Sequence, residues 1–120
     1  MNTDTPFLAR RWLGEAYGLT AILPTIPGNG AMECVTYDIP GQHGTGLPFL
    51  AMAATCPASP EETETLRKEL RLIGYPFPTA YKRLSQRMHR ERRDNWRRML
   101  DSLARQENHL PLITSEEIPA

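Results

Sequence analysis

A chain of 120 residues, 40% hydrophobic and 23% charged, has the length and balance of one modest globular core. Its longest purely apolar run, Leu47 to Ala54, is far short of a membrane span. The start MNTDTPFLARRW lacks the order of a secretory signal, so a cytoplasmic protein with no membrane partner is expected. The formal charge is zero, but it is unevenly spread. Between Lys82 and Arg98 stand eight basic residues and two acidic ones, a net of +6 that the remainder offsets with −6.

Residues 1–18 read as a helix. Thr5 suits the cap, Pro6 the first turn and Gly18 the stop, while Leu8, Trp12 and Ala16 recur at four-residue spacing. From 19 to 56 the composition turns to proline and glycine, and LTAIL, AMECVTYDI and LPFLAMAAT are separated by PTIPGNG and PGQHGTG. That pattern predicts a β-meander, a small three-stranded antiparallel sheet with the third strand the most covered. Residues 59–106 form the helical part. Ser59, Pro60 and Glu62 spell a capping box, and Leu66, Leu70 and Ile73 make an inward stripe that Gly74 and Pro76 end. A second, long and basic helix is predicted from about Thr79 to Gln106. The tail, 107–120, is partly flexible, with Leu110 to Ile113 docking on the sheet. The expected fold is thus a single α+β domain over 1–120, with an N-terminal helix, three strands and two C-terminal helices.

On a helical projection of the basic segment, Tyr81, Leu84, Met88, Trp96, Met99 and Leu103 share one arc. Arg83, Arg87, Arg90, Arg93 and Arg97 fall opposite, with Lys82 and Arg98 at the edges. Charge runs are usually solvated faces, but those tend to mix signs, and Glu91 and Asp94 do not balance eight bases. Such a face suits nucleic acid, an acidic protein, or the chain's own acidic remainder; arginine's planar fork serves phosphate and carboxylate alike. Arg92 is anomalous because it falls within the apolar arc. Either the helix breaks near RERRDN, with Asp94 capping a second helix, or Arg92 pairs with Glu15 or Asp38. A third reading has the helix project beyond the core, so that Arg92, Trp96, Met99 and Leu103 meet a second subunit in a homodimer.

Cys34 and Cys56 are too few for a disulfide scaffold and read as buried thiols. A catalytic or metal site built from Cys34, His43 and Cys56 has no supporting spacing, and GQHGTG lacks a phosphate-loop lysine. No enzyme, metal or cofactor is expected. The favoured function is a small non-enzymatic interaction or regulatory module. Lys82, Arg83, Arg87, Arg90, Arg93, Arg97 and Arg98 would contact nucleic-acid backbone. The alternative is an adaptor or inhibitor docking the same helix on an acidic protein surface.

Overall fold

Phe7 and Leu8 are adjacent and both fully buried, which a one-sided helix does not allow and a strand covered on both faces requires. In the computed structural model, which describes residues 4–14, 18–39 and 41–109 (side chains to 106), this segment is β1, Thr5–Trp12. Strands β2 (Leu19–Pro27), β3 (Cys34–Asp38) and β4 (Gln42–Gly46) follow, then helix α1 (Pro48–Ala53) and strand β5 (Thr55–Pro57). Helix α2 (Pro60–Leu72), strand β6 (Pro78–Ala80) and helix α3 (Gln86–His109) complete the order. The sheet runs β4-β3-β2-β1-β5 with antiparallel neighbours; β6 adds parallel to the first half of β1, on the edge whose second half carries β5.

The class is α+β, but the predicted architecture is corrected in three places. The N-terminal helix is a strand, because Leu8 and Trp12, four apart, also share one side of an extended chain; Ala16 lies outside the described residues. The sheet has six strands instead of three. LPFLAMAAT, expected as the covered strand, is the short helix α1 followed by β5. An apolar run carries no period to separate the two, and Pro48 at the first helical position was the available sign.

Two cores result. On one face Leu66 and Leu70 of α2 pack on Phe7, Ala21, Leu23 and Tyr37. On the other, Leu8, Ile22, Cys34 and Ala51 are covered by α1, Leu84 and the first turns of α3. The capping box of α2 is present: Ser59 Oγ accepts from the Glu62 N–H (3.1 Å) and the Ser59 N–H donates to Glu62 Oε1 (2.9 Å). Gly74, at φ +108°, ends that helix as expected, but Ile73 of the predicted stripe is exposed.

α3 starts at Gln86, seven residues later than about Thr79, because residues 78–80 are held as a strand. Ser85 caps it, its Oγ accepting from the Met88 N–H at 3.2 Å. At 1.5 Å per residue its 24 residues span about 36 Å. Only the first half packs on β2, and every residue from Arg97 to Gln106 is exposed. The chain accordingly measures 58 × 35 × 26 Å, with a radius of gyration of 17.3 Å, against about 14 Å for a compact domain of this length. Among the described residues no helix is long and apolar enough to cross a membrane. The tail segment Leu110 to Ile113 lies outside them.

Candidate functional site

Arg92 is 4% exposed and anchors the site. Its Nε donates to Ala31 O, its Nη1 to Pro24 O and its Nη2 to His89 Nδ1, each at 2.8 Å. Nearby, Asn95 Nδ2 donates to Thr25 O at 2.8 Å. The cause lies in β2. Its pairing with β1 runs only to Ile22, and its pairing with β3 jumps from Leu23 to Pro27. Such an irregularity leaves carbonyls without ladder donors, and a buried carbonyl needs one. α3 supplies them from Arg92 and Asn95.

The unbroken helix removes the predicted break at RERRDN. Pairing with Asp38 is also excluded, since Asp38 Oδ1 accepts instead from Trp12 Nε1 at 3.0 Å; Glu15 lies outside the described residues. The projecting helix of the third reading is observed, with Arg92 inside the fold and not at its surface. Trp96 is half-buried, and Met99 and Leu103 are exposed, joined by Leu100.

The predicted basic face divides. Lys82 and Arg83 sit in the link between β6 and α3, off the helix. Arg87 Nε is paired with Glu91 Oε1 at 3.2 Å, and Arg98 Nη1 donates to Asn95 Oδ1 at 3.0 Å. At 100° per residue, Arg87, Arg98 and Arg105 share an arc of about 60° with Asp94 and Asp101, so signs mix there. Arg90, Arg93 and Arg97 form a separate strip, neighbours about 5–6 Å apart. Among the described residues none of the three has an ion-pair or hydrogen-bond partner.

Beside Arg90 and Arg93 lies a groove of about 420 Å³. The turn between β2 and β3 brings Met32 to it. Gly28 lets that turn close, because a Cβ there would stand 2.7 Å from Thr45 Cγ2 and 3.2 Å from Cys34 O. β4 delivers Leu47, Pro48 and Phe49; with Ala51 turned into the core, Phe49 faces outward at 65% exposure and Met32 at 68%. These two residues had no signal in sequence, since an exposed apolar residue is recognised only once its helix is docked.

His89 forms the groove's other wall. Arg92 has only donors, so His89 Nδ1 must accept and its proton sits on Nε2. Burial, then Arg92 and Arg93, hold its pKa below the ordinary 6.5. With the folded value depressed, the stability from neutral His89 is complete above pH 6.5 and is lost as pH falls from there through the folded value. Urea midpoints should therefore drop between pH 7 and 5, and His89→Gln, whose amide oxygen still accepts, should reduce that drop. An unchanged slope in the variant would exclude His89 as its source.

The residues considered for catalysis do not meet. Cys34 faces the α3 side, whereas His43 is the cross-strand partner of Tyr37, which faces α2. Cys56 is on β5 at the opposite sheet edge, roughly 19 Å from β4 at ~4.8 Å per strand. Burial pushes the Cys34 thiol up to about 11, the reverse of an activated nucleophile. His43 lies on a strand, not a loop. Its Nε2 is 3.0 Å from Tyr75 Oη, beside Tyr37, whose Oη donates to Glu69 Oε1 at 2.9 Å. Burial raises both phenol pKa values, so neither serves as a base near neutrality. Among the described residues no three potential ligands gather to hold a metal.

A larger cleft of about 710 Å³ separates β5 from β6, but its arginines are committed. Arg10 donates to Thr55 Oγ1, Thr55 O and Met52 O, and Arg67 pairs with Glu64. The strip and groove on α3 are a place where positive charge, exposed apolar surface and a concave site coincide among the described residues. Fold and site together define a six-stranded α+β protein with an arginine-rimmed groove. The chain matches no protein-family model, no curated protein and no solved structure.

Proposed function

We propose that this chain is a cytoplasmic, non-enzymatic module that binds nucleic-acid backbone through α3 and the link before it. The observation that carries the reading is the strip Arg90, Arg93 and Arg97, exposed and unpaired among the described residues. Three like charges at this spacing repel one another, and although Asp94 and Asp101 stand one turn from Arg90 and Arg97 they form no ion pair with them, so an anion lying across the strip is favoured. Lys82 and Arg83, also exposed, precede the helix, Lys82 at the cleft between β5 and β6 and Arg83 beside Arg87, while Arg87 and Arg98 are shared with Glu91 and Asn95. Four or five phosphate contacts follow from that inventory. They position a protein on a strand without reading its sequence.

Exposure of Met99, Leu100 and Leu103 beside Arg97 favours one alternative, an acidic protein with an apolar ridge. A second copy fits less well. In an antiparallel pair the flank bearing Arg93 and Arg97 would meet its own equivalent, placing like charges together.

Fluorescence anisotropy with labelled duplex, single-stranded DNA and RNA, titrated across salt, tests the proposal. Log affinity should fall against log salt with a slope of about −4 for the duplex and about −3 for the single strands. Reversing the strip (Arg90→Glu, Arg93→Glu, Arg97→Glu) should cut the slope to about −1 to −2 and weaken binding at ~50 mM salt more than tenfold. No binding by the wild type at that salt would overturn the proposal and leave the acidic-protein reading in its place.

A further inference from the structure

We infer that the groove between α1, the β2–β3 turn and α3 receives an unpaired nucleobase, making the surface selective for single-stranded over duplex nucleic acid. The inference rests on the nucleic-acid reading above and gives the groove a role that phosphate binding does not require. A phosphate-only surface needs charge. This one also keeps Phe49 and Met32 about two-thirds exposed, beside Arg90 and Arg93. Large apolar side chains held in water beside unpaired cations match what a single strand offers, a π-face next to a phosphate. The volume, about 420 Å³, lies within the range of small-ligand sites.

The walls supply the rest of the recognition. His89, with Nδ1 taken by Arg92, carries its remaining N–H on Nε2 and adds a neutral donor to a lining that joins Met32, Leu47, Pro48 and Phe49 to Gln86 and three arginines. Arg92 places a fixed positive charge beneath the groove, held by Pro24 O and Ala31 O, so it needs no rearrangement when an anion arrives. Arg90 and Arg93 stand at the rim, and Arg97 continues the line one turn further along α3. A strand lying on that line would set phosphates on the arginines and turn one base onto Phe49.

Duplex DNA meets this surface poorly. Its base faces are covered by stacking, so it offers no π-face to Phe49 and Met32, which stand across the groove from the exposed Arg90 and Arg93.

The test compares four labelled probes at fixed salt: a single-stranded 12-mer DNA, the RNA of the same sequence, their duplex form, and an abasic strand with the same phosphates. The single strands should bind roughly tenfold or more tighter than the abasic strand, as expected for one stacked base. Phe49→Ala should bring the single-strand affinity down to the abasic level while leaving abasic and duplex binding unchanged, and Phe49→Trp should restore it. Equal binding of all four probes, with no effect of Phe49→Ala, would overturn the base-binding groove and leave the phosphate reading standing. Loss of abasic binding in Phe49→Ala would also overturn it, because the phenyl group would then act through the fold and not through a base. Failure of every probe to bind would remove both readings together.

Discussion

Replacing Arg92 with methionine is expected to lower the unfolding free energy by about 2–4 kcal/mol, an effect large for a residue on a charged helix. Methionine keeps much of the volume but offers no donor. Pro24 O, buried, and Ala31 O, part-buried, then lose their partners inside the fold, and an unsatisfied buried carbonyl costs about 1–3 kcal/mol, a part-buried one less. One effect opposes this. A guanidinium held by carbonyls and a neutral imidazole carries an uncompensated desolvation cost, visible in its lowered pKa, and methionine removes it. The carbonyl losses should prevail, because the segment between Leu23 and Pro27 has no ladder to fall back on. Urea denaturation measures the difference. A variant as stable as the wild type would mean that water replaces the guanidinium at those carbonyls.

Leu70→Ala should be a severely damaging core change, costing about 2–5 kcal/mol. α2 buries only two side chains fully, Leu66 and Leu70, and both pack on Phe7, Ala21, Leu23 and Tyr37. Leu72 lies two residues on and is 81% exposed, so Leu72→Ala should change stability by less than about 0.5 kcal/mol. The pair shares one helix and one chemistry, which isolates burial as the variable. Comparable shifts in urea midpoint would mean that α2 packs on the sheet through another face.

The two results bear on function through α3. Arg92 fixes the helix that presents the arginine strip, and α2 holds the opposite side of the sheet to which that helix is fastened. A surface of exposed arginines keeps its geometry only while its buried neighbours stay in place.

Several features were legible in the residues alone. α2 could be read from Ser59, Pro60, Glu62 and Gly74, because caps and turn glycines act within a few residues of themselves. β2 and β3 were readable from apolar runs between turns. The excess of positive charge between Lys82 and Arg98 was a matter of counting. So was the oddity of Arg92, since a charge on an apolar arc shows in a projection before any fold is known.

Other features came from contacts distant in the chain. β1 carries spacing that fits helix and strand equally, and only cover on both its faces makes it a strand. β4 and β6 hold almost no apolar signal: Gln42 to Gly46 is extended because β3 lies beside it, and Pro78 to Ala80 because β1 does. The same holds for the site. Composition counts eight bases, but folding leaves Lys82 and Arg83 off the helix and gives Arg87 to Glu91, Arg98 to Asn95 and Arg92 to two carbonyls, so that Arg90, Arg93 and Arg97 remain as the strip. The groove joins Met32, Phe49 and His89 from three separated segments. Caps, composition and net charge are local or additive and survive in a string of letters. Which face is covered, and which charge is already satisfied, depends on what the chain brings back from elsewhere.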